Sequence, residues 1–152
     1  MRLDKPMLTR KAKNSSTIAQ VILILSDQDK VSDSWKSLFH QKGCMTVCET
    51  QENALQTCRI VDPALIVVDL DLPHVQKLDL FRGLRGVTSA PILMLIPNWN
   101  GDKILDAYNA GVDECLLKPV SPAFLVVKSM SWLLRHRWIG HDPSLSPVRT
   151  TI

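Results

Sequence analysis

The sequence predicts a doubly wound α/β fold with a five-stranded parallel sheet, a (βα)5 arrangement. The first observation is that its apolar runs, such as residues 21–25 and 65–68, show no alternation with polar residues, which indicates strands buried on both faces. The second is that apolar residues recur at helical spacing after each run. The third is that only a few residues connect successive elements, as expected for right-handed crossovers between parallel strands.

The first two units are marked by clear changes of pattern. The run at 21–25 ends at the polar residues 26–29. Apolar residues then recur at i, i+4, i+7 and i+8 from Val31 until Gly43, a residue that suits the left-handed end of a helix. A short strand at 45–48 comes next. The helix after it has apolar positions at Ala54, Leu55, Cys58 and Val61 and stops at Asp62-Pro63.

The last three units repeat the arrangement. The third strand, 65–68, precedes a helix marked by Leu80, Phe81, Leu84 and Val87. Pro91 and Pro97 bound the fourth strand, because proline cannot donate to a sheet ladder. The remaining elements are a fourth helix marked by Ile104, Leu105 and Tyr108 and ended by Gly111, a fifth strand at 115–117, and a broad apolar helix at 124–134.

Composition excludes several classes of protein. With 152 residues, 45% of them hydrophobic and 22% charged, the chain has the composition of one globular domain. It contains no run of 18 apolar residues, so no membrane helix is expected. Five of the 18 basic residues and one of the 15 acidic residues lie in residues 1–19, which leaves the remainder with a net charge of −1. We therefore expect no nucleic-acid binding within this chain.

We expect three segments: a flexible basic lead-in at 1–19, the folded domain at 20–136, and a tail or linker at 137–152. The last segment is too short for a DNA-binding output domain, so a stand-alone domain and a fragment are both possible. The N-terminus has no apolar core of a secretory signal. Free thiols in a reducing, cytoplasmic location are the simplest interpretation of the four cysteines, which are Cys44, Cys48, Cys58 and Cys115.

Charged side chains follow the first, third and fifth strands. Asp27 follows the first strand, Asp69 and Asp71 follow the third, and Lys118 follows the fifth. Because ligands of open α/β sheets bind at the carboxyl ends of the strands, these groups are expected at one edge. Carboxylates there can bind a hard cation such as Mg²⁺ and leave one aspartate as a nucleophile for a phosphoryl group. No glycine-rich phosphate loop and no GxSxG motif occurs, which disfavours nucleotide-dependent and acyl-transfer enzymes.

Three segments, ILSDQD, IVVDLDLP and AGVDECLLKP, occur in this order after strands one and three and into strand five. From about residue 21 to 134 the chain resembles the receiver domain of bacterial two-component response regulators, a signalling domain of flavodoxin-like topology and not an enzyme. The resemblance implies that Asp69 accepts a phosphoryl group from a histidine kinase or phosphotransfer protein and that Lys118 contacts it. It also implies Mg²⁺ held by Asp27, Asp69 and the backbone carbonyl of Asp71, and a cis Lys118–Pro119 bond. Receivers commonly form homodimers through helix four, strand five and helix five.

Four residues depart from the family pattern. Ser26 replaces a second acid, which should weaken magnesium binding. Ile96 replaces a Thr or Ser whose hydroxyl bonds the phosphoryl group, and isoleucine has no donor. Cys115 replaces the aromatic residue coupled to that hydroxyl, and Lys77 replaces a glycine at the start of helix three. The acceptor chemistry is therefore expected to survive while the usual output switch is impaired.

Three functions remain as alternatives. The first is a phosphoacceptor receiver in a phosphorelay, and the second is a degenerate pseudo-receiver that binds proteins independently of phosphorylation. The third, a small flavodoxin-like enzyme or flavin carrier, is disfavoured because residues 26–29 place acid where a phosphate would bind. Two residues also have simpler interpretations: Asp27 as an N-cap of the first helix, and His74 as a loop residue without a metal or phosphohistidine role.

Overall fold

The computed structural model describes residues 19–27 and 29–141, and the expected lead-in before Ala19 and the tail from residue 142 lie outside them. The strands are β1 (Gln20–Ser26), β2 (Cys44–Glu49), β3 (Leu65–Asp69), β4 (Ile92–Ile96) and β5 (Glu114–Leu117). The helices are α1 (Asp29–Gln41), α2 (Ala54–Val61), α3 (His74–Val87), α4 (Gly101–Asn109) and α5 (Pro122–His141), and one 3₁₀ turn, Gln51–Asn53, precedes α2.

The five strands form one parallel sheet in the order β2-β1-β3-β4-β5. The chain moves from β1 outward to β2 and then returns past β1 to β3, so the direction of winding reverses between β1 and β3. Ser26 and Asp69, the last residues of these two strands, are register partners. The doubly wound (βα)5 prediction is confirmed, and the switch point lies where the acidic residues were expected.

Two apolar layers explain why the strands contain no polar alternation. Helices α2, α3 and α4 pack on one face of the sheet, with Phe81 fully buried. Helices α1 and α5 pack on the other face, with Phe39 fully buried. Successive strand residues such as Leu23 and Ile24 face opposite layers, and both are apolar because both layers exclude water.

The last helix is longer than the sequence predicted. We expected it to end at Leu134, but α5 continues to His141 and passes the expected domain boundary at 136. Its apolar residues also divide between two environments: Leu125 and Val126 are buried, whereas Val127 is exposed. In the described part of the chain, no helix is long and apolar enough to cross a membrane.

An arginine fixes the chain segments before β4 and β5. The Arg85 guanidinium donates hydrogen bonds to the carbonyls of Thr88, Ala90 and Gly111 at 2.7–3.2 Å. It also pairs with Asp113 Oδ2 at 3.0 Å. Gly111 has a φ of +120°, and an added Cβ there would lie 3.1–3.3 Å from the Arg85 side chain. Glycine is therefore required both by backbone conformation and by this close approach.

Candidate functional site

The sequence-predicted acceptor and lysine form a close ion pair. Asp69 ends β3 and has an exposed fraction of 8%. Lys118, which follows β5, places its Nζ 2.8 Å from Asp69 Oδ1. The Lys118 backbone N–H donates to the Ile96 carbonyl at 2.8 Å, and this bond positions the lysine at the end of β4. The Lys118–Pro119 bond is cis, as expected.

The two other aspartates lie on the same edge and contact each other. The backbone N–H of Asp71 donates to Asp27 Oδ2 at 3.3 Å. Asp27 is exposed, and α1 begins two residues later at Asp29. Ser26 is buried beside Asp69 in the sheet register, which places a small neutral side chain where a second acid was expected.

The edge offers few protein ligands for Mg²⁺. Among residues 19–27 and 29–141, no group of three acidic, histidine or cysteine side chains is arranged to hold a metal. Magnesium in proteins is often held by one or two carboxylates completed by waters and a phosphate. The carboxylates of Asp27 and Asp69 and the carbonyl of Asp71 could supply only part of the octahedral oxygen shell of Mg²⁺. Water or a phosphoryl group would have to supply the remaining oxygens.

The two expected switch positions have apolar surroundings. Ile96 has an exposed fraction of 4% and belongs to the apolar layer under α2, α3 and α4, and Cys115 packs against the same layer. The Tyr108 hydroxyl accepts a hydrogen bond from the Cys115 backbone N–H at 3.2 Å. A tyrosine from α4 therefore covers the edge strand next to the position where an aromatic residue was expected in β5.

A cleft opens beside Asp71, between the start of α3 and the β4–α4 connection. We name it the α3–α4 cleft, and its volume is about 200 Å³. Its lining residues are Asp71, Leu72, His74, Lys77, Met94, Ile96, Pro97, Asn98, Asn100, Lys103 and Ile104. Asn100 Oδ1 caps α4 by accepting from the Lys103 N–H at 3.1 Å. His74 Nε2 lies 3.0 Å from Asp106 Oδ2 and so joins α3 to α4.

Three of the residues that line this cleft, Asp71, Lys77 and Lys103, carry charged side chains. Burial lowers the pKa of the Lys77 ammonium, and repulsion from Lys103 and Lys118 lowers it further. The carboxylates of Asp71 and Asp69 oppose that change in the pKa. The Lys77 ammonium therefore responds to the charges of both aspartates and both other lysines.

In the sequence, Lys77 stands out only as a replaced glycine, and no motif marks the cleft. The N-cap pattern of Asn100 followed by Lys103 was available as a signal for the start of α4. No sequence signal indicated that His74 and Asp106, which are 32 residues apart, would make contact.

Comparisons with known proteins identify the family of this chain. The profile of the response regulator receiver domain matches residues 22–129. The DNA-binding response regulator MtrA of Mycolicibacterium smegmatis is 28% identical over 121 residues, which cover 79% of this chain and 53% of that protein. The transcriptional regulatory protein KdpE of Mycobacterium tuberculosis is 25% identical over 65% of this chain and 44% of its own length. The chain thus spans about half the length of the curated relatives that it matches.

Solved structures show the same fold. A two-component response regulator from Clostridium difficile superposes with a TM-score of 0.70 at 25% identity, over 77% of this chain and 98% of its own. A CheY-like receiver domain protein from Methanospirillum hungatei gives a TM-score of 0.71 at 22% identity, over 78% and 97%. The chain belongs to the response regulator receiver domain family of two-component systems.

Proposed function

We propose that Asp69 accepts a phosphoryl group from the phosphohistidine of a histidine kinase or phosphotransfer protein. The observation that carries this proposal is the 2.8 Å pair between Asp69 and Lys118 at the switch point of the sheet. In the transfer, a carboxylate oxygen of Asp69 attacks phosphorus, an O–P bond forms and the N–P bond of the donor breaks. The imidazole of the donor leaves and takes up a proton. The product is an acyl phosphate, with Lys118 placed to offset its added negative charge.

Magnesium is the proposed cofactor of this transfer. Its proposed ligands are Asp27, Asp69 and the backbone carbonyl of Asp71, and it would neutralise charge on the incoming phosphoryl group. The neutral Ser26 removes one negative charge from this edge compared with an acid there, so binding should be weak and should tighten when phosphate oxygens are present.

The output of this domain is proposed to differ from that of an ordinary receiver. Ile96 fills its position with a buried apolar side chain and offers no hydrogen-bond donor. Cys115 has no aromatic ring that could move between two positions. Phosphorylation of Asp69 should therefore change the carboxyl edge while causing little rearrangement of β5.

We propose that α4, β5 and α5 form a homodimer surface. Exposed apolar side chains lie on all three elements: Leu105 and Tyr108 on α4, Leu117 on β5, and Phe124 and Val127 on α5. The same surface contains an acid and a base in one ion pair, Lys128 with Glu114 at 2.8 Å. Apolar area with balanced charge suits a second copy of the same surface.

Sedimentation velocity over a range of concentrations tests the dimer. Val127→Glu should shift the protein to monomer, because a charge would be buried in the contact. Val75→Glu is the matched control, since Val75 is equally exposed on α3, away from this surface. A wild-type protein that stays monomeric at all concentrations would refute the homodimer.

The cellular setting is proposed from the same residues. The four cysteines are free thiols, as suits a reducing cytoplasm. We propose that the domain acts in signalling and not as a free-standing enzyme, and that residues 20–136 bind proteins and not nucleic acid. DNA binding is named for MtrA, and a matching activity in a longer form of this protein would need residues beyond the receiver fold.

Intact-mass spectrometry with a small-molecule phosphodonor tests the acceptor. Wild-type protein should gain one phosphoryl group in the presence of Mg²⁺, and Asp69→Asn should gain none. No gain in the wild type, under conditions that label an ordinary receiver, would favour the pseudo-receiver alternative.

A further inference from the structure

Lys77 occupies an unusual position for a cation. It lies in the first turn of α3, where its backbone N–H donates to the Pro73 carbonyl at 3.0 Å. Its side chain is half-buried and lines the α3–α4 cleft next to Ile96. Within the part of the chain that the structure describes, no carboxylate lies at ion-pair distance from the Lys77 ammonium. Placing a charge there without a direct partner costs free energy unless an anion binds.

The surroundings of Lys77 indicate where such an anion would lie. Asp69 is paired with Lys118 on the β5 side, whereas Lys77 approaches from α3. Lys77 lines the α3–α4 cleft together with Asp71, which follows Asp69 by two residues, and the charges of Asp69 and Lys118 both act on the Lys77 ammonium. Asp69 itself is a buried carboxylate paired with Lys118. A phosphoryl group would add about −1.5 to −2 charge there.

The apolar side chain at Ile96 leaves one side of that phosphoryl group without a hydroxyl donor. Ile96 and Lys77 line the same cleft, so the ammonium can approach from the side where the hydroxyl is missing. An ammonium carries three donors and is a common ligand of phosphate oxygens.

We propose that the Lys77 ammonium binds the phosphoryl group carried by Asp69, opposite Lys118, and supplies the hydrogen-bond donor that Ile96 lacks. This inference rests on the proposed acceptor function of Asp69. It makes Lys77 a second phosphoryl-binding lysine beside Lys118, and it makes the cleft an extension of the acceptor site.

The test uses beryllium fluoride with Mg²⁺, a phosphoryl analogue, and follows binding by thermal shift. Lys77→Met keeps the methylene stem and the helix propensity but removes the charge, and it should weaken binding about tenfold. Lys77→Arg should restore most of the affinity. Arg82→Met removes one charge from the exposed face of the same helix and should leave the affinity unchanged. Melting without the analogue shows that each variant is folded.

The outcomes separate the two proposals. If the wild type binds the analogue and gains a phosphoryl mass on Asp69, but Lys77→Met binds equally well, the role of Lys77 is refuted and the acceptor function stands. If the wild type neither binds the analogue nor gains the mass, the acceptor function fails and the role of Lys77 fails with it. A tenfold loss in Lys77→Met that Lys77→Arg reverses, with Arg82→Met unchanged, supports both.

Discussion

Replacing Ile96 with threonine should lower the folding stability and strengthen the binding of a phosphoryl group. Ile96 has an exposed fraction of 4% within the apolar layer. Ile96→Val removes one methylene and should cost about 1 kcal/mol. Ile96→Thr has the same shape as the valine variant but buries a hydroxyl, which adds about 1–3 kcal/mol. At roughly 3 °C per kcal/mol for a chain of this length, the expected Tm losses are about 3 °C and about 6–12 °C.

Although Ile96→Thr is expected to be the less stable variant, beryllium fluoride should stabilise it more than it stabilises Ile96→Val. The threonine hydroxyl can donate to the bound analogue, and one such bond of about 1.4 kcal/mol would tighten binding about tenfold. Melting curves at fixed analogue and Mg²⁺ should therefore show a larger stabilisation of Ile96→Thr than of Ile96→Val. Equal melting temperatures of the two variants, both with and without the analogue, would show that position 96 is neither buried nor close to the phosphoryl group.

Two further predictions concern stability and thiol reactivity. Arg85→Ala should lower the free energy of unfolding by about 2–4 kcal/mol, because three carbonyls and Asp113 lose their donor. In urea denaturation, Arg85→Lys should recover less than half of this loss, since an ammonium cannot reproduce the planar guanidinium fork. Burial raises the pKa of the Cys44, Cys58 and Cys115 thiols, so alkylation by iodoacetamide at pH 8.5 should be slower in the folded protein than in urea. Because the pKa of each thiol is higher in the folded protein, the stability contributed by these thiols is full below pH 9 and is lost as the pH rises through the raised pKa values. Alkylation at the same rate with and without urea would contradict the burial of the thiols.

The fold could be predicted because burial on both faces leaves a direct trace in the sequence. Strands such as 65–68 are apolar throughout, and the glycines that end helices are needed for positive φ, as at Gly43 with φ of +82°. The end of α5 could not be predicted from apolar spacing, because residues beyond Leu134 carry no continuous apolar stripe.

The division of α4 and α5 into buried and exposed faces was also beyond the sequence pattern. Ile104 and Ala107 face the sheet, whereas Leu105 is exposed. Apolar residues on adjacent positions of a helix give two possible faces, and only packing decides between them.

The positions of the candidate site residues at the strand ends could be predicted, but the charged groups around them could not. The position of Asp69 and Lys118 at strand ends follows from the topology, and their 2.8 Å pair agrees with it. The approach of Lys77 depends on the path of the connection before α3 and on the depth of the cleft, neither of which a single sequence encodes in a readable pattern.

The proposed acceptor role of Asp69 can be tested directly with a donor that contains an N–P bond. Phosphoramidate carries such a bond, and borohydride reduction converts an aspartyl phosphate into homoserine that peptide mapping can locate. After incubation with phosphoramidate and Mg²⁺, we expect homoserine at position 69 and at no other aspartate. Homoserine at position 27 or 71, or at no position under conditions that modify an ordinary receiver, would rule out Asp69 as the acceptor.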